Sequence, residues 1–229
     1  VIIAKKPFFA EKPIGLNFKD VKLLNKIATK NKSINMIGFN RRFYHIFHKG
    51  LEIIKKKGKL LSISIEGHER FWKVKKIRSL KMQKNWLYAN SSHTIDLIRF
   101  FGNEVKNIKV FSNNYKNSKS NFSASILFKD GKIGTYQSNW YSPGGWSVKL
   151  YGEGVTVIFD PLESGYYKNT NNKLYKIESN RYDRKYKPGF YKQMEAFKKL
   201  LLTRKKIWPT QDITDIKKTF EIVEKFKLS

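Results

Sequence analysis

The hydrophobic pattern at the start of the chain alternates between compact apolar runs and amphipathic stretches. Residues 7–10 and 33–39 are apolar runs typical of buried strands. Each is followed by a stretch of helical period, the first capped by Asn17 or Asp20 and the second ending at Gly58. This order predicts a strand–helix–strand–helix unit, as found in one half of a doubly wound parallel sheet.

The pattern changes after Gly58, where polar and apolar residues begin to alternate with a period of two. Asp130-Gly131 lies between two such runs and predicts a type I′ hairpin. Consecutive hairpins imply a mostly antiparallel sheet. Residues 163–188 are polar and predict a loop, and two amphipathic helices separated at Pro209 end the chain. The predicted strands are 60–69, 105–112, 121–129, 132–141, 146–152 and 155–160, with one helix over 92–101.

Charge is the most unusual property of the composition. The formal net charge is +29, carried by 39 Lys and only 8 Arg spread along the 229 residues. Arg supplies most bidentate recognition of bases and phosphates, so this balance does not favour a specific nucleic-acid partner. The abundance of Lys, Asn, Ile, Phe and Tyr is also what an AT-rich genome produces. We therefore expect only salt-sensitive, non-specific adhesion to polyanions.

Other features of the composition exclude whole classes of site. The chain has no Cys, which excludes disulfides, thiolate catalysis and zinc–thiolate centres. No apolar run is long enough to span a bilayer, so no membrane partner is expected. A cytoplasmic location follows by default. His45 and His48 lack a carboxylate arrangement that suggests a metal site, and Gly152-Glu-Gly154 lies in a β-turn, where it is no dinucleotide fingerprint.

Three short motifs carry candidate chemistry. The stretch Lys6-Pro-Phe-Phe-Ala-Glu-Lys-Pro-Ile-Gly15 places a Lys at the end of the first predicted strand. The segment Ser92-His-Thr-Ile-Asp-Leu-Ile98 starts a predicted helix with a His and an Asp three residues apart, on one face. Gly38-Phe-Asn-Arg-Arg-Phe43 ends the second strand with two cations.

Together these motifs resemble the Gfo/Idh/MocA oxidoreductases, the relatives of glucose–fructose oxidoreductase and inositol dehydrogenase, over nearly the whole chain. The resemblance implies NAD or NADP as cofactor and a sugar, cyclitol or sugar derivative as substrate. Glu11, Lys12 and Pro13 would lie beside the cofactor. Lys12 would also stabilise alkoxide character, and His93 would act as the acid/base. The implied substrate-binding residues are Arg41, Asn90, Asp96 and Trp86.

Simpler interpretations of these residues stay open. His93 is also compatible with a core or capping His behind an N-cap at Ser92. The two strand-end cations, of which Arg41 is the first choice and Arg42 the second, are compatible with solvation of that strand end. Trp86, with Trp140 and Tyr141, forms either a sugar-binding wall or ordinary core.

One position departs from the family pattern. Members of the family commonly have an Asp four residues before the catalytic His, where this chain has Ala89. The neighbouring Asn90 can form hydrogen bonds but cannot supply a charge. The sequence therefore indicates either a variant subfamily or weakened acid/base machinery.

The resemblance also sets the expected organisation. The fold class is α/β plus α+β: a partial Rossmann-type, doubly wound unit followed by an open, mostly antiparallel sheet domain with helices. Residues 1–58 would be the C-terminal remnant of a nucleotide-binding domain, and residues 59–229 a substrate and oligomerisation domain. A homo-oligomer through the sheet is implied.

A missing glycine-rich loop leads to a further expectation. Only ten residues precede Glu11, and no Gly-x-Gly-x-x-Gly occurs in the sequence. We expect an N-terminally truncated chain that binds NAD(P) poorly by itself. The alternatives to an enzyme are a non-catalytic remnant or interaction module and, less favoured, a basic polyanion-binding protein.

Overall fold

A computed structural model describes residues 1–116 and 118–229. The strands are β1 (Phe8–Glu11), β2 (Asn35–Gly38), β3 (Leu60–Gly67), β4 (Val105–Tyr115), β5 (Ser118–Phe128), β6 (Ile133–Asn139), β7 (Trp146–Gly152), β8 (Val155–Phe159), β9 (Gly165–Asn169) and β10 (Leu174–Ile177). The α-helices are α1 (Phe18–Lys30), α2 (His45–Lys57), α3 (Phe71–Ile77), α4 (Leu80–Lys84), α5 (Ser92–Gly102), α6 (Arg181–Lys185), α7 (Phe190–Thr203) and α8 (Ile213–Leu228). A 3₁₀ turn (Asn40–Phe43) follows β2, and a π-helical turn (Leu87–Ser91) leads into α5.

The first strands and helices follow the predicted order. β1 and β2 pair in parallel, and α1 connects them. Of the two caps that the sequence allows, Asn17 and Asp20, Asn17 caps α1 by accepting a hydrogen bond from the Asp20 backbone N–H at 2.9 Å. Gly58 ends α2 with φ +155°, a conformation that L side chains rarely adopt. The carboxyl ends of β1 and β2 therefore lie side by side, which brings Lys12 and the 3₁₀ turn together.

The remaining strands form one open sheet of eight, in the order β10-β9-β8-β7-β3-β6-β5-β4. Every neighbouring pair is antiparallel except β3 and β6, which run parallel. The fold class predicted from the sequence is confirmed. One face of the sheet is covered by helices, with α5 against β3 and α2 against β8. The last helix, α8, packs on α1, α5 and β2, so a continuous apolar core joins the two-stranded and eight-stranded sheets.

Three local predictions were wrong. Residues 163–188 are not a loop, because they contain β9, β10 and α6. Their apolar signal is weak since β9 and β10 lie at the sheet edge, where few side chains are buried. The short helices α3 and α4 were missed. The β5–β6 hairpin is present, but φ is positive at Gly131 and not at Asp130, so the turn is not type I′.

Among the described residues, no helix is both long and apolar enough to cross a membrane.

Candidate active site

Lys12 lies directly after β1 and points into the molecule. Its Nζ donates a hydrogen bond to the backbone carbonyl of Ala89, 2.6 Å away in the π-helical turn. Burial, the largest cause, and the Arg41 cation lower the pKa of Lys12 from its ordinary 10.5 to about 7. The carboxylates of Glu69 and Glu11 act in the opposite direction. Lys12 is thus an amine that can gain or lose a proton near neutral pH.

Glu69 faces the same turn from the other side, two residues beyond β3. Only 5% of the residue is exposed. Its carboxylate accepts hydrogen bonds from Asn90 Nδ2 at 3.0 and 3.2 Å and from Ser91 Oγ at 2.9 Å. Burial raises the pKa of Glu69 to about 7, while the side chains of Ser91, Trp86 and Asn90 and the Lys12 charge favour the ionised form. A buried carboxylate therefore stands next to the position where Ala89 supplies none.

His93 begins the first turn of α5 and is 7% exposed. Its ring lies edge-on to Phe39, with 5.4 Å between centroids, and 6.1 Å from Trp146. Burial holds the pKa of His93 well below its ordinary value, and the Lys12 and Arg41 cations act in the same direction, so the ring is neutral at neutral pH. Within the described part of the chain, the buried Nδ1 atom has no hydrogen-bond partner.

Ser92 does not cap this helix. Its Oγ donates a hydrogen bond to the carbonyl of Tyr88 at 2.8 Å, because the π-helical turn runs without interruption into α5. The capping interpretation of the Ser92-His93 pair is therefore wrong. Single π-turns inside helices occur frequently at functional sites.

The side chains of the neighbouring residues Arg41 and Arg42 have entirely different contacts. The guanidinium of Arg41 lies 4.4 Å from the centre of the Trp146 ring, and its buried Nε has no partner among the described residues. Burial lowers the pKa of Arg41, and Tyr44 and Glu163 oppose this shift. A cavity of about 250 Å³ adjoins Trp146, with Glu163 on its wall. Of the two strand-end arginines, Arg41, the first choice from the sequence, is the one that lies against Trp146, and the arginine on the wall of the cavity is Arg70.

Arg42 instead forms a buried ion pair with Asp96. Its Nε and Nη2 donate to the two Asp96 oxygens at 2.6 and 3.0 Å. Asp96 is 1% exposed and also accepts hydrogen bonds from Gln211 at 3.1 Å and Thr219 at 2.8 Å. Asp96 therefore contacts Arg42 and α8. Among the described residues, its hydrogen bonds do not include the side chain of Lys12 or His93.

The remaining predicted residues lie around this centre. Glu11 packs against Gly38, where an added Cβ would come within 2.8 Å of a Glu11 oxygen. Pro13 follows a cis peptide bond after Lys12. Trp86 is buried beside Glu69, and its ring meets Phe71 edge-on at 6.2 Å.

Sequence reasoning missed three residues near the site. Glu69 lies two residues beyond β3, Trp146 is the first residue of β7, and Lys187, in the segment before α7, lowers the pKa of His93 by its charge. An acidic residue at the end of a predicted strand is a usable signal for Glu69, since strand ends converge at sheet edges. Nothing in the sequence around Lys187 indicates its proximity.

The described residues contain no group of three or more His, Cys, Asp and Glu side chains that could hold a metal ion. His48 lies with its Nε2 2.8 Å from the Arg42 carbonyl, and it packs against Trp208.

Comparison with known proteins finds matches among solved structures only. No known protein-family profile matches the sequence, and no curated protein matches it significantly. Solved structures do match. A levoglucosan dehydrogenase in complex with NADH superposes with a TM-score of 0.80 at 15% identity, over 99% of this chain and 72% of the other.

The fold is that of the NAD-dependent Gfo/Idh/MocA-type oxidoreductases. A UDP-N-acetylglucosamine 3-dehydrogenase from Acidithiobacillus ferrooxidans matches with a TM-score of 0.74 at 12% identity, over 95% of this chain and 68% of that one. An Agrobacterium radiobacter oxidoreductase, solved with NAD+, L-tartaric acid and magnesium, gives 0.74 at 12% identity, over 97% and 70%. The resemblance drawn from the three motifs is thus confirmed at the level of the fold.

Proposed function

We propose that the protein is an oxidoreductase of the Gfo/Idh/MocA type, which transfers hydride between NAD(P) and a sugar, cyclitol or sugar derivative. The observation that carries this proposal is the convergence of Lys12, His93 and Arg41, from three separate segments, around one buried turn. Similar folds solved with NADH, and in one case with NADH and L-sorbose, support the choice of cofactor and substrate class.

The described residues fit the nicotinamide end of the cofactor. Glu11, Lys12 and Pro13 lie at the carboxyl end of β1, where ligands bind in open α/β sheets. Next to Glu11, the side-chain amide of Gln193 is fully buried. It favours the ionised form of the Glu11 carboxyl, and neither of its polar atoms has a hydrogen bond of ordinary geometry among the described residues. When bound, NAD(P)+ supplies the hydride acceptor.

The proton chemistry belongs to the side chains of this protein. In alcohol oxidation, the C–H electron pair leaves as hydride and the O–H proton goes to a ring nitrogen of neutral His93. The Lys12 ammonium donates a hydrogen bond to the substrate oxygen as it gains negative charge. In the reverse reaction, His93 returns the proton to the carbonyl oxygen.

Substrate orientation is assigned to Arg41 and Asn90. The Nε of Arg41 has no hydrogen-bond partner among the described residues, and the Nδ2 of Asn90 donates to Glu69, so we assign its amide oxygen to a ligand hydroxyl. Trp86 forms part of the buried wall behind them. For Asp96 we propose an indirect role, because the ion pair with Arg42 fixes the 3₁₀ turn that carries Arg41.

Two measurements test the proposal. The first is NAD(P)-linked oxidation of a panel of sugars and cyclitols, with and without the substitution His93→Gln. Loss of the acid/base should lower kcat at least ~100-fold. The matched control is His45→Gln on α2, whose side chain has no assigned role.

The second measurement is substrate binding followed by tryptophan fluorescence, which needs no cofactor. Arg41→Ala should weaken sugar binding at least tenfold, and Lys57→Ala at the end of α2 should leave it unchanged. A protein that binds no polyol and turns none over, in the presence of either nicotinamide cofactor, would instead be the non-catalytic module.

We further propose that a second copy of this chain is the macromolecular partner. The uncovered face of the eight-stranded sheet carries a row in register across four strands: Tyr151 beside Ser62, Ser62 beside Ile133, and Ile133 beside Leu127. The three apolar members are 38%, 59% and 38% exposed. Apolar side chains in a row on a sheet face are typical of a subunit interface.

A further inference from the structure

Glu69 is a buried carboxylate whose role the resemblance to known oxidoreductases does not provide. None of the ion pairs among the described residues includes Glu69. Its carboxylate accepts hydrogen bonds from Asn90 and Ser91, and the neighbouring Trp86 side chain also favours its ionised form. Burying a carboxylate without a direct cationic partner costs stability. A residue with this cost is expected to serve the site that it faces.

The π-helical turn connects Glu69 to Lys12. The carbonyl of Ala89 accepts the hydrogen bond from Lys12 Nζ, and the next two residues, Asn90 and Ser91, donate to the Glu69 carboxylate. Any movement of the turn therefore changes the surroundings of both charged groups together.

Lys12 and Glu69 are surrounded by further titratable groups. Lys12 is influenced by Arg41 from the 3₁₀ turn, by Glu11 from β1 and by Glu69. Glu69 influences Arg41 and the phenol of Tyr136 on β6. Both carboxylates raise the pKa of Lys12 and so favour its ammonium form, and the effect of Glu69 is larger than that of Glu11.

We propose that Glu69 is the positioning carboxylate of this site: it holds the π-helical turn against Lys12 and supplies a negative charge that favours the ammonium form of Lys12, in the place that Ala89 leaves without an acid. The inference rests on the proposed function, because it assigns Glu69 a part in that same site. It acts through Lys12 and Asn90 and needs no contact with substrate.

The first test measures the pKa of Lys12 in the full chain. The rate of Lys12 acylation by a small reagent is followed against pH by mass spectrometry in the wild type and in Glu69→Gln, which removes the charge and keeps the side-chain volume. The pKa of Lys12 should fall by about one unit, the size expected for loss of one nearby opposite charge. Glu66→Gln, three residues earlier on β3, is the matched control and should leave it unchanged.

The second test asks whether the charge can be supplied from Ala89. In Glu69→Gln, the further substitution Ala89→Asp should return the pKa of Lys12 towards the wild-type value. Glu69→Asp keeps the charge and serves the same purpose if the double variant fails to fold. An unchanged Lys12 pKa in folded Glu69→Gln, or an equal shift in Glu66→Gln, would overturn the inference.

These outcomes can be separated from failure of the proposed function. If the pKa of Lys12 moves as expected but His93→Gln has full activity, the oxidoreductase mechanism fails and the electrostatic role of Glu69 survives. If His93→Gln is inactive while the Lys12 pKa is insensitive to Glu69, only this inference fails.

Discussion

At the scale of single residues, the site is governed by desolvation. Lys12, Glu69 and His93 all have pKa values displaced towards their neutral forms, and burial is the largest cause for each. Lys12 and Glu69 partly offset this effect in one another, and the pKa of each is about 7. Groups that titrate near neutral pH suit general acid–base chemistry.

The titration of Lys12 is a direct prediction at this scale. Because a neutral amine is the nucleophile, we expect limited acylation at pH 7 to label Lys12 preferentially, with half-maximal rate at a pH of about 7. Exposed Lys19 on α1 provides the reference rate in the same sample. Equal labelling of the two lysines at neutral pH would contradict the prediction, and a bound polyol should protect Lys12 alone.

At the scale of elements, the Arg42–Asp96 pair joins the 3₁₀ turn to α5, and Asp96 is bonded in turn to Thr219 on α8. Arg42→Ala leaves a buried Asp96 charge without its partner. We expect it to lower the free energy of unfolding by ~3–5 kcal/mol in a denaturant titration. Lys49→Ala, which breaks the exposed pair with Glu52, should change it by less than ~1 kcal/mol. Similar losses in the two variants would show that the pair does not join these elements.

At this scale, the sequence predicts those features that neighbouring residues decide and misses those that depend on distant residues. The cap at Asn17, one of the two candidates for α1, and the helix end at Gly58 are decided by neighbouring residues, and both appear in the structure. The contact of Glu69 with the π-helical turn spans about twenty residues and depends on how β3 and α5 pack, so no local pattern announces it. The different contacts of Arg41 and Arg42 likewise depend on Asp96, which is distant in sequence and pairs with Arg42.

At the scale of the whole molecule, the net charge of +29 dominates the long-range field. We expect weak binding to heparin and DNA that does not depend on base sequence and falls at least ~tenfold between 50 and 200 mM salt. Filter binding with two unrelated DNA sequences measures this. Sequence-selective binding that persists at the higher salt concentration would instead favour a specific nucleic-acid function.

The open sheet face supplies the last prediction. If two copies pair through it, the row of Tyr151, Ile133 and Leu127 loses contact with water, which is worth roughly 25 cal/mol per Å² of apolar area. Ile133→Glu would bury a carboxylate in that interface, so we expect it to convert the oligomer to monomer in size-exclusion chromatography with light scattering. Leu202→Glu, on α7 and 75% exposed, is the matched control and should leave the mass unchanged. A monomeric wild type, or an oligomer that survives Ile133→Glu, would place any partner on another surface.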